Sequence, residues 1–103
     1  MTELRPIFLA KMDKIRPVLV LTRQPVIPYL NQITVAPITN RIRGLKVEVG
    51  LGRHNGLDHD CVINCDHVTT IDKDLLLRPI GALLPAQEPA LAQALVSAFD
   101  LSI

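Results

Sequence analysis

The chain predicts a small, mainly β, partly closed barrel with one C-terminal helix covering a side. Three observations carry this. Short runs rich in Val, Ile, Leu and Thr recur between turn residues, the run nearest the centre is apolar at both parities, and the hydrophobic period changes from two to about four in the last fifteen residues. With 103 residues, 49% of them hydrophobic, the chain has material for one core, so residues 1–103 read as a single domain. Five to seven short strands followed by one amphipathic helix suit that architecture.

Arg5 to Ala10 opens the chain as a short apolar strand, and Lys11-Met12-Asp13-Lys14 makes a tight polar connection. Arg16-Pro17-Val18-Leu19-Val20-Leu21 follows. A continuous apolar run is covered on both faces, which puts Arg16 at the mouth of the best-buried strand. Thr22 to Asn31 contains Pro25 and Pro28 and reads as a loop ordered by its prolines. Tyr29, the only tyrosine, is expected to pack on the domain, with stacking on a nucleobase as its alternative use. Leu45, Val47, Val49 and Leu51 alternate with Lys46, Glu48 and Gly50, so Leu45 to Leu51 predicts a strand with one face in the core. Asn55-Gly56 is a turn signal. Cys61 to Asn64, Val68 to Ile71 and Arg78 to Leu84 are the remaining strands. Leu91, Leu95 and Phe99, with Ala94 and Ala98 beside them, mark the apolar stripe of a helix over 86–99, and Pro85 and Pro89 fall where a helix start tolerates them.

The stretch the others serve is Gln32 to Gly44. Ile33, Thr34, Val35 and Ile38 make Gln32 to Ile38 a strand. Pro37 cannot donate to a ladder, which places it at an edge or bulge and predicts that Thr39 and Asn40 turn out of the sheet. A hydroxyl and an amide, followed by Arg41 and Arg43, suit a phosphate-bearing ligand. The charge distribution agrees. Net charge is only +1, but Arg5 to Arg53 holds nine basic residues against two acidic ones, whereas two basic residues face seven acidic ones after Arg53. A cationic first half can bind polyanions, and it can equally be an ordinary solvated face.

Other classes are disfavoured. No apolar run approaches the ~20 residues of a membrane span, and the first residues lack the form of a secretory signal, so a cytoplasmic protein is expected. Cys61 and Cys65, on a strand, stand ~13 Å apart, far beyond disulfide reach, and read as reduced, buried thiols. Asp58-His59-Asp60 and His54 show no recognised zinc spacing, so no metal or other cofactor is expected. His59 is retained only as a supporting acid or base.

Taken together, Arg16 to Leu21, Thr34-Val35-Ala36-Pro37-Ile38-Thr39, Arg43-Gly44-Leu45, Asn55-Gly56-Leu57 and Thr69-Thr70-Ile71 resemble, in order and over nearly the whole chain, the MazF/PemK-type toxins of bacterial toxin–antitoxin modules. The resemblance implies an SH3-like barrel of the MazF/CcdB-like fold and a homodimer that buries the first strand and part of the helix side. It also implies a metal-independent endoribonuclease that cuts single-stranded RNA, and not DNA, at a specific sequence. A cognate MazE-like antitoxin would lay an acidic tail in the RNA groove. Arg16 and Thr39 match the family's catalytic positions.

The chemistry fits them. RNA is cut when its 2′-hydroxyl attacks the adjacent phosphate, which leaves a 2′,3′-cyclic phosphate and a 5′-hydroxyl; the protein must align groups, stabilise the phosphorane and manage two protons. Arg16 offers a fixed cation and Thr39 a hydrogen bond to the phosphate. Lys14, Asn40, Arg41, Arg43 and His59 are the expected substrate contacts. One departure stands out: the family's longer, glycine-rich, Glu-containing first connection is here only Lys11 to Ile15, leaving Asp13 as the local carboxylate. Two other readings remain open, a catalytically inactive RNA- or protein-binding barrel and a gyrase poison like the CcdB toxins. The latter rely on a C-terminal tryptophan, and this chain has none.

Overall fold

The computed structural model describes residues 3–103. Seven strands are followed by a helix: β1 (Pro6–Lys11), β2 (Ile15–Val20), β3 (Gln32–Thr39), β4 (Glu48–Leu51), β5 (Cys61–Asn64), β6 (Thr69–Asp72), β7 (Leu76–Ala82) and α1 (Glu88–Phe99). The strands form one curled antiparallel sheet in the order β4-β5-β3-β2-β1-β7, with β6 also pairing β3. Val18, Leu19 and Val20 are all buried, as a run apolar at both parities requires. Leu19 joins Ile7, Ala36, Ile38, Val49, Ile63 and Leu91 on one face, whereas Val18 and Val20 join Ala10, Ile33, Val35 and Ile71 on the other. Each such side chain taken from water contributes ~1.5–3 kcal/mol, so β2 and β3 anchor the fold from both sides.

β3 is the strand on which the site is hung. Its first half pairs with β6, ending at Val35 opposite Thr69, and its last two residues pair with β5, Ile38 opposite Ile63 and Thr39 opposite Val62. Between those registered pairs β3 has two residues, 36 and 37, while the partner has five, 64–68. The three extra residues are the 3₁₀ turn Cys65–His67. Pro37 therefore sits where the neighbouring strand is interrupted, and its missing N–H disrupts no ladder. The expectation of a strand end bent out at Pro37 is corrected: β3 runs through it, and Thr39 stays in the ladder while Asn40 begins the turn away.

Further departures have physical causes. The alternating run beginning at Leu45 becomes a strand only from Glu48; Leu45 is 47% exposed. The Glu48 carboxylate draws the preceding backbone amides into a loop, and such side-chain bonds compete directly with strand pairing. Gln24–Tyr29 forms a 3₁₀ helix, and Tyr29 is 87% exposed instead of packed. In α1, Leu91 and Ala94 are buried, but Phe99 is 57% exposed. Each step of four residues rotates about 40° around a helix, so Phe99 lies ~80° from Leu91 and leaves the face that Ala94 and Ala98 keep. The last strand lies two residues earlier than expected, ending at Ala82. Among the described residues, no helix is long and apolar enough to cross a membrane.

Candidate active site

Arg16 is the second residue of β2 and lies across from Ala10 of β1. The β2–β3 register ends at Val18 opposite Pro37. Arg16 and Thr39 each lie two residues beyond that pair, at the same end of neighbouring strands. Pro17, between Arg16 and Val18, has no N–H, which suits the end of a ladder.

The short β1–β2 turn gives Arg16 a partner. Met12 N–H donates to Lys14 O at 2.9 Å, closing the turn, and Asp13 faces the guanidinium: Arg16 Nε donates to Oδ1 at 2.8 Å and Nη2 to Oδ2 at 3.1 Å. This is a bidentate, solvent-exposed pair. The hydrogen bond from Arg16 holds the Asp13 carboxyl down at about 2, and Asp13 in turn raises the Arg16 pKa. Asp13 is thus an ionised carboxylate that fixes one edge of the guanidinium, and among the described residues nothing bonds the Nη1 hydrogens. Lys14 is exposed at the tip of the same turn.

Thr39 is half-buried, and its Oγ1 accepts Arg41 N–H at 3.1 Å. The hydroxyl proton is left to donate elsewhere. Around it opens a pocket of about 210 Å³ lined by Pro37, Thr39, Arg41, Arg43, Asn64 and His67. The interruption opposite Pro37 is what makes this space, because Asn64 caps the extra turn and His67 ends it. Asn64 caps that turn through Oδ1, which accepts Asp66 N–H at 2.9 Å, so its NH₂ group remains a donor for a ligand. Thr39, Arg41 and Arg43 are thereby brought together as the sequence suggested. Asn40 is exposed beside them without lining the pocket. His59 does not line it either: its Nδ1 pairs with the neighbouring Asp58. His67 is the imidazole at the pocket. Sequence reasoning missed it, and only the three-residue insertion between β5 and β6 shows why it faces β3.

Cys61 and Cys65 are free and buried. Burial raises both thiol pKa values, that of Cys65 to about 11, which keeps these groups protonated and unreactive. Among the described residues, no three metal-ligating side chains gather at one point. A larger cavity of about 590 Å³ lies among Leu4, Arg5, Arg23, Pro25, Leu83 and Glu88, and none of the site residues lines it. Volume here does not follow chemistry: the smaller pocket holds the hydroxyl, the imidazole and the guanidinium groups.

Residues 1–99 match the family described as PemK-like, MazF-like toxin of type II toxin-antitoxin system. Endoribonuclease MazF3 of Mycobacterium tuberculosis is 53% identical over 98 residues, spanning 95% of both chains. Probable endoribonuclease MazF2 of that organism is 40% identical over 73 residues, spanning 70% of this chain and 72% of the relative. The solved structure of Mycobacterium tuberculosis toxin MazF-mt6 superposes with a TM-score of 0.94 at 52% identity, covering 96% of this chain and 100% of that one. An endoribonuclease in complex with its cognate antitoxin, from a mycobacterial species, shares the fold with a TM-score of 0.85 at 21% identity, covering 99% of each chain.

Proposed function

This chain belongs to the PemK-like, MazF-like toxins of type II toxin–antitoxin systems, and from that premise we propose that it is the endoribonuclease toxin of such a module, cutting single-stranded RNA at the Arg16–Thr39 end of the β2–β3 pair. The observation that carries this reading is the joining of a hydroxyl, two guanidiniums and an imidazole in one pocket, next to the strand end that bears Arg16. RNA phosphates would enter along Arg41 and Arg43. The Thr39 hydroxyl, oriented by Arg41 N–H, donates to a non-bridging oxygen of the scissile phosphate. The Nη1 hydrogens of Arg16 meet the charge that grows on the phosphorane, where preorganised donors have most effect. The 2′-hydroxyl then attacks phosphorus, the bond to the 5′-oxygen breaks, and a 2′,3′-cyclic phosphate and a 5′-hydroxyl result. His67, in place of His59, takes the proton of the 2′-hydroxyl, and the 5′-oxygen leaves with a proton from solvent. A substrate that must supply a 2′-hydroxyl excludes DNA.

The same reading assigns a homodimer, a cytoplasmic location with the RNA, and a MazE-like antitoxin whose acidic segment competes for Arg41 and Arg43. The deciding experiment is cleavage of a mixed RNA pool in EDTA, with the new ends sequenced and their chemistry identified. Cuts at a shared motif with cyclic-phosphate and 5′-hydroxyl ends are expected. Arg16→Ala, at an exposed pair outside the core, is expected to remain folded and to lose at least ~100-fold in rate. A folded wild-type protein that retains RNA without cutting it would instead identify a binding-only barrel.

A further inference from the structure

Glu48 accounts for the shape of the loop between β3 and β4. Its Oε1 accepts the backbone N–H groups of Arg43, Gly44 and Leu45 at 3.1, 2.9 and 3.2 Å, and Oε2 accepts that of Arg43 at 3.3 Å. Successive amides converging on one point form a concavity that binds anions. Here the anion comes from the chain itself. Gly44 supplies the left-handed residue, φ 72°, and a Cβ there would meet nothing within 4 Å, so the glycine serves backbone conformation and not space. Glu48 N–H closes the turn on Leu45 O at 3.1 Å. At its other end the loop is tied by Arg41 N–H on Thr39 Oγ1. Between the two ties stand Arg41 and Arg43, whose side chains line the pocket and form no ion pair among the described residues.

We propose that Glu48 is the positioning residue of the RNA-binding loop: its carboxylate fixes where Arg43 stands relative to the Thr39 hydroxyl, so that one RNA strand meets both in register. The inference rests on the pocket being the RNA site. It also explains a carboxylate inside a cationic site. Three amide donors face it, so its charge is matched by the backbone and not by the arginines that phosphate needs. Without the carboxylate those amides turn to water, the loop loses its shape, and the arginines keep their charge but lose their geometry.

The test is a double-mutant cycle of Glu48→Ala and Arg43→Ala, reading kcat and KM on an RNA oligonucleotide that carries the mapped cut motif. Glu48→Ala is expected to raise KM about tenfold with little change in kcat, and the double variant to be no worse than the poorer single one, since coupled residues are not additive. The slope of log affinity against log salt should fall by about 0.7 for each single-strand phosphate that the variant no longer neutralises. Glu48→Gln should recover most of the affinity, because a single carbonyl oxygen can take the place of Oε1. Effects that simply multiply in the double variant, or an unchanged KM in Glu48→Ala, would overturn the role of Glu48 while leaving the RNA site in place. An Arg43→Ala variant with wild-type KM would overturn the RNA-site reading itself. If Glu48→Ala does not fold, Glu48→Asp, one methylene shorter, replaces it. A KM raised in Asp but not in Gln supports the proposal, and equal behaviour of the two overturns it.

Discussion

The loop that follows β3 and the turn that follows β4 are each gathered around one polar side chain, Glu48 in the first and Asn55 in the second. Glu48 is half-buried and holds three amides of a loop whose residues from 40 to 46 face solvent. Asn55 is 1% exposed. Its Oδ1 accepts Gly52 N–H at 3.1 Å, and its Nδ2 donates to Ala82 O at 3.0 Å and to Gln87 Oε1 at 2.6 Å. Gln87 Oε1 also takes Leu84 N–H at 2.9 Å, so the turn, the end of β7 and the approach to α1 form one sealed network. A buried network that is fully satisfied rigidifies the fold, whereas an open clip shapes a surface without sealing it. Asn55 thus serves stability, and Glu48 serves the site.

The hardest test of that contrast is at Gly81. A Cβ there would lie 1.7 Å from Asn55 O, and one at Gly56, itself at φ 90°, would lie 2.3 Å from Ile80 O. Backbone meets backbone at both points, and no flexible side chain can move aside. Gly81→Ala is expected to cost at least ~3 kcal/mol, by overpacking against main chain. Asn55→Ala, which leaves buried partners unsatisfied, should cost roughly 3 kcal/mol. Thermal unfolding would show either as a large fall in Tm, at about 4–8 °C per kcal/mol for a domain near this size. If the two regions are separable, the folded fraction of Asn55→Ala keeps its cleavage rate per molecule. A fall in rate without a fall in Tm would break the comparison.

This junction also shows how far the sequence could be read. Asn55-Gly56 is visible as a turn signal, but its partner Gly81 is 25 residues away, and no local pattern pairs them. The strands were legible wherever burial dictated them, as at Val18 to Val20 and Ile33 to Val35. The strand expected from Leu45 fails where a side chain competes with the ladder, as the Glu48 carboxylate does by holding Leu45 N–H together with those of Arg43 and Gly44. Arg16 and Thr39 stand out in the sequence as polar residues at the ends of apolar strands, but the catalytic role proposed for them comes from the family resemblance and not from that pattern. That they share an end depends on the β2–β3 register, which the chain alone does not display. His67 was hidden for the same reason. The insertion that turns it toward Pro37 exists only relative to β3, and period-two counting cannot see an interruption in a neighbour's pairing.

The histidines give a sharper, smaller test. His59 attracts attention in the sequence because aspartates flank it, and in the fold it is occupied by Asp58. His67→Ala is expected to lower kcat by about 100-fold, the scale of one positioned proton-transfer group, with an altered pH–rate profile. His59→Ala should leave kcat within about twofold. The reverse result would mean that the pocket beside Thr39 is not where protons move.

The smallest effect concerns Asp13, the carboxylate left where the family's first connection is longer. Its pKa is depressed to about 2 from an ordinary 3.8, first by the hydrogen bond from Arg16. A group depressed in the folded state contributes its pairing above the ordinary value and loses it as pH falls through the folded one. The Asp13–Arg16 pair is therefore complete above pH ~4 and lost only toward pH 2, so it cannot generate a limb in the pH–rate profile near neutrality. Nor can Asp13 act as the general acid, since no proton remains on it in the working range. Titration of the Asp13 carboxyl by NMR should give a midpoint near 2 in the wild type and a return toward the ordinary range in Arg16→Ala. An ordinary midpoint in the wild type would mean that the guanidinium swings free in solution. Arg16 would then take its orientation from bound RNA, and the open side of the molecule would be less preorganised than its shape suggests.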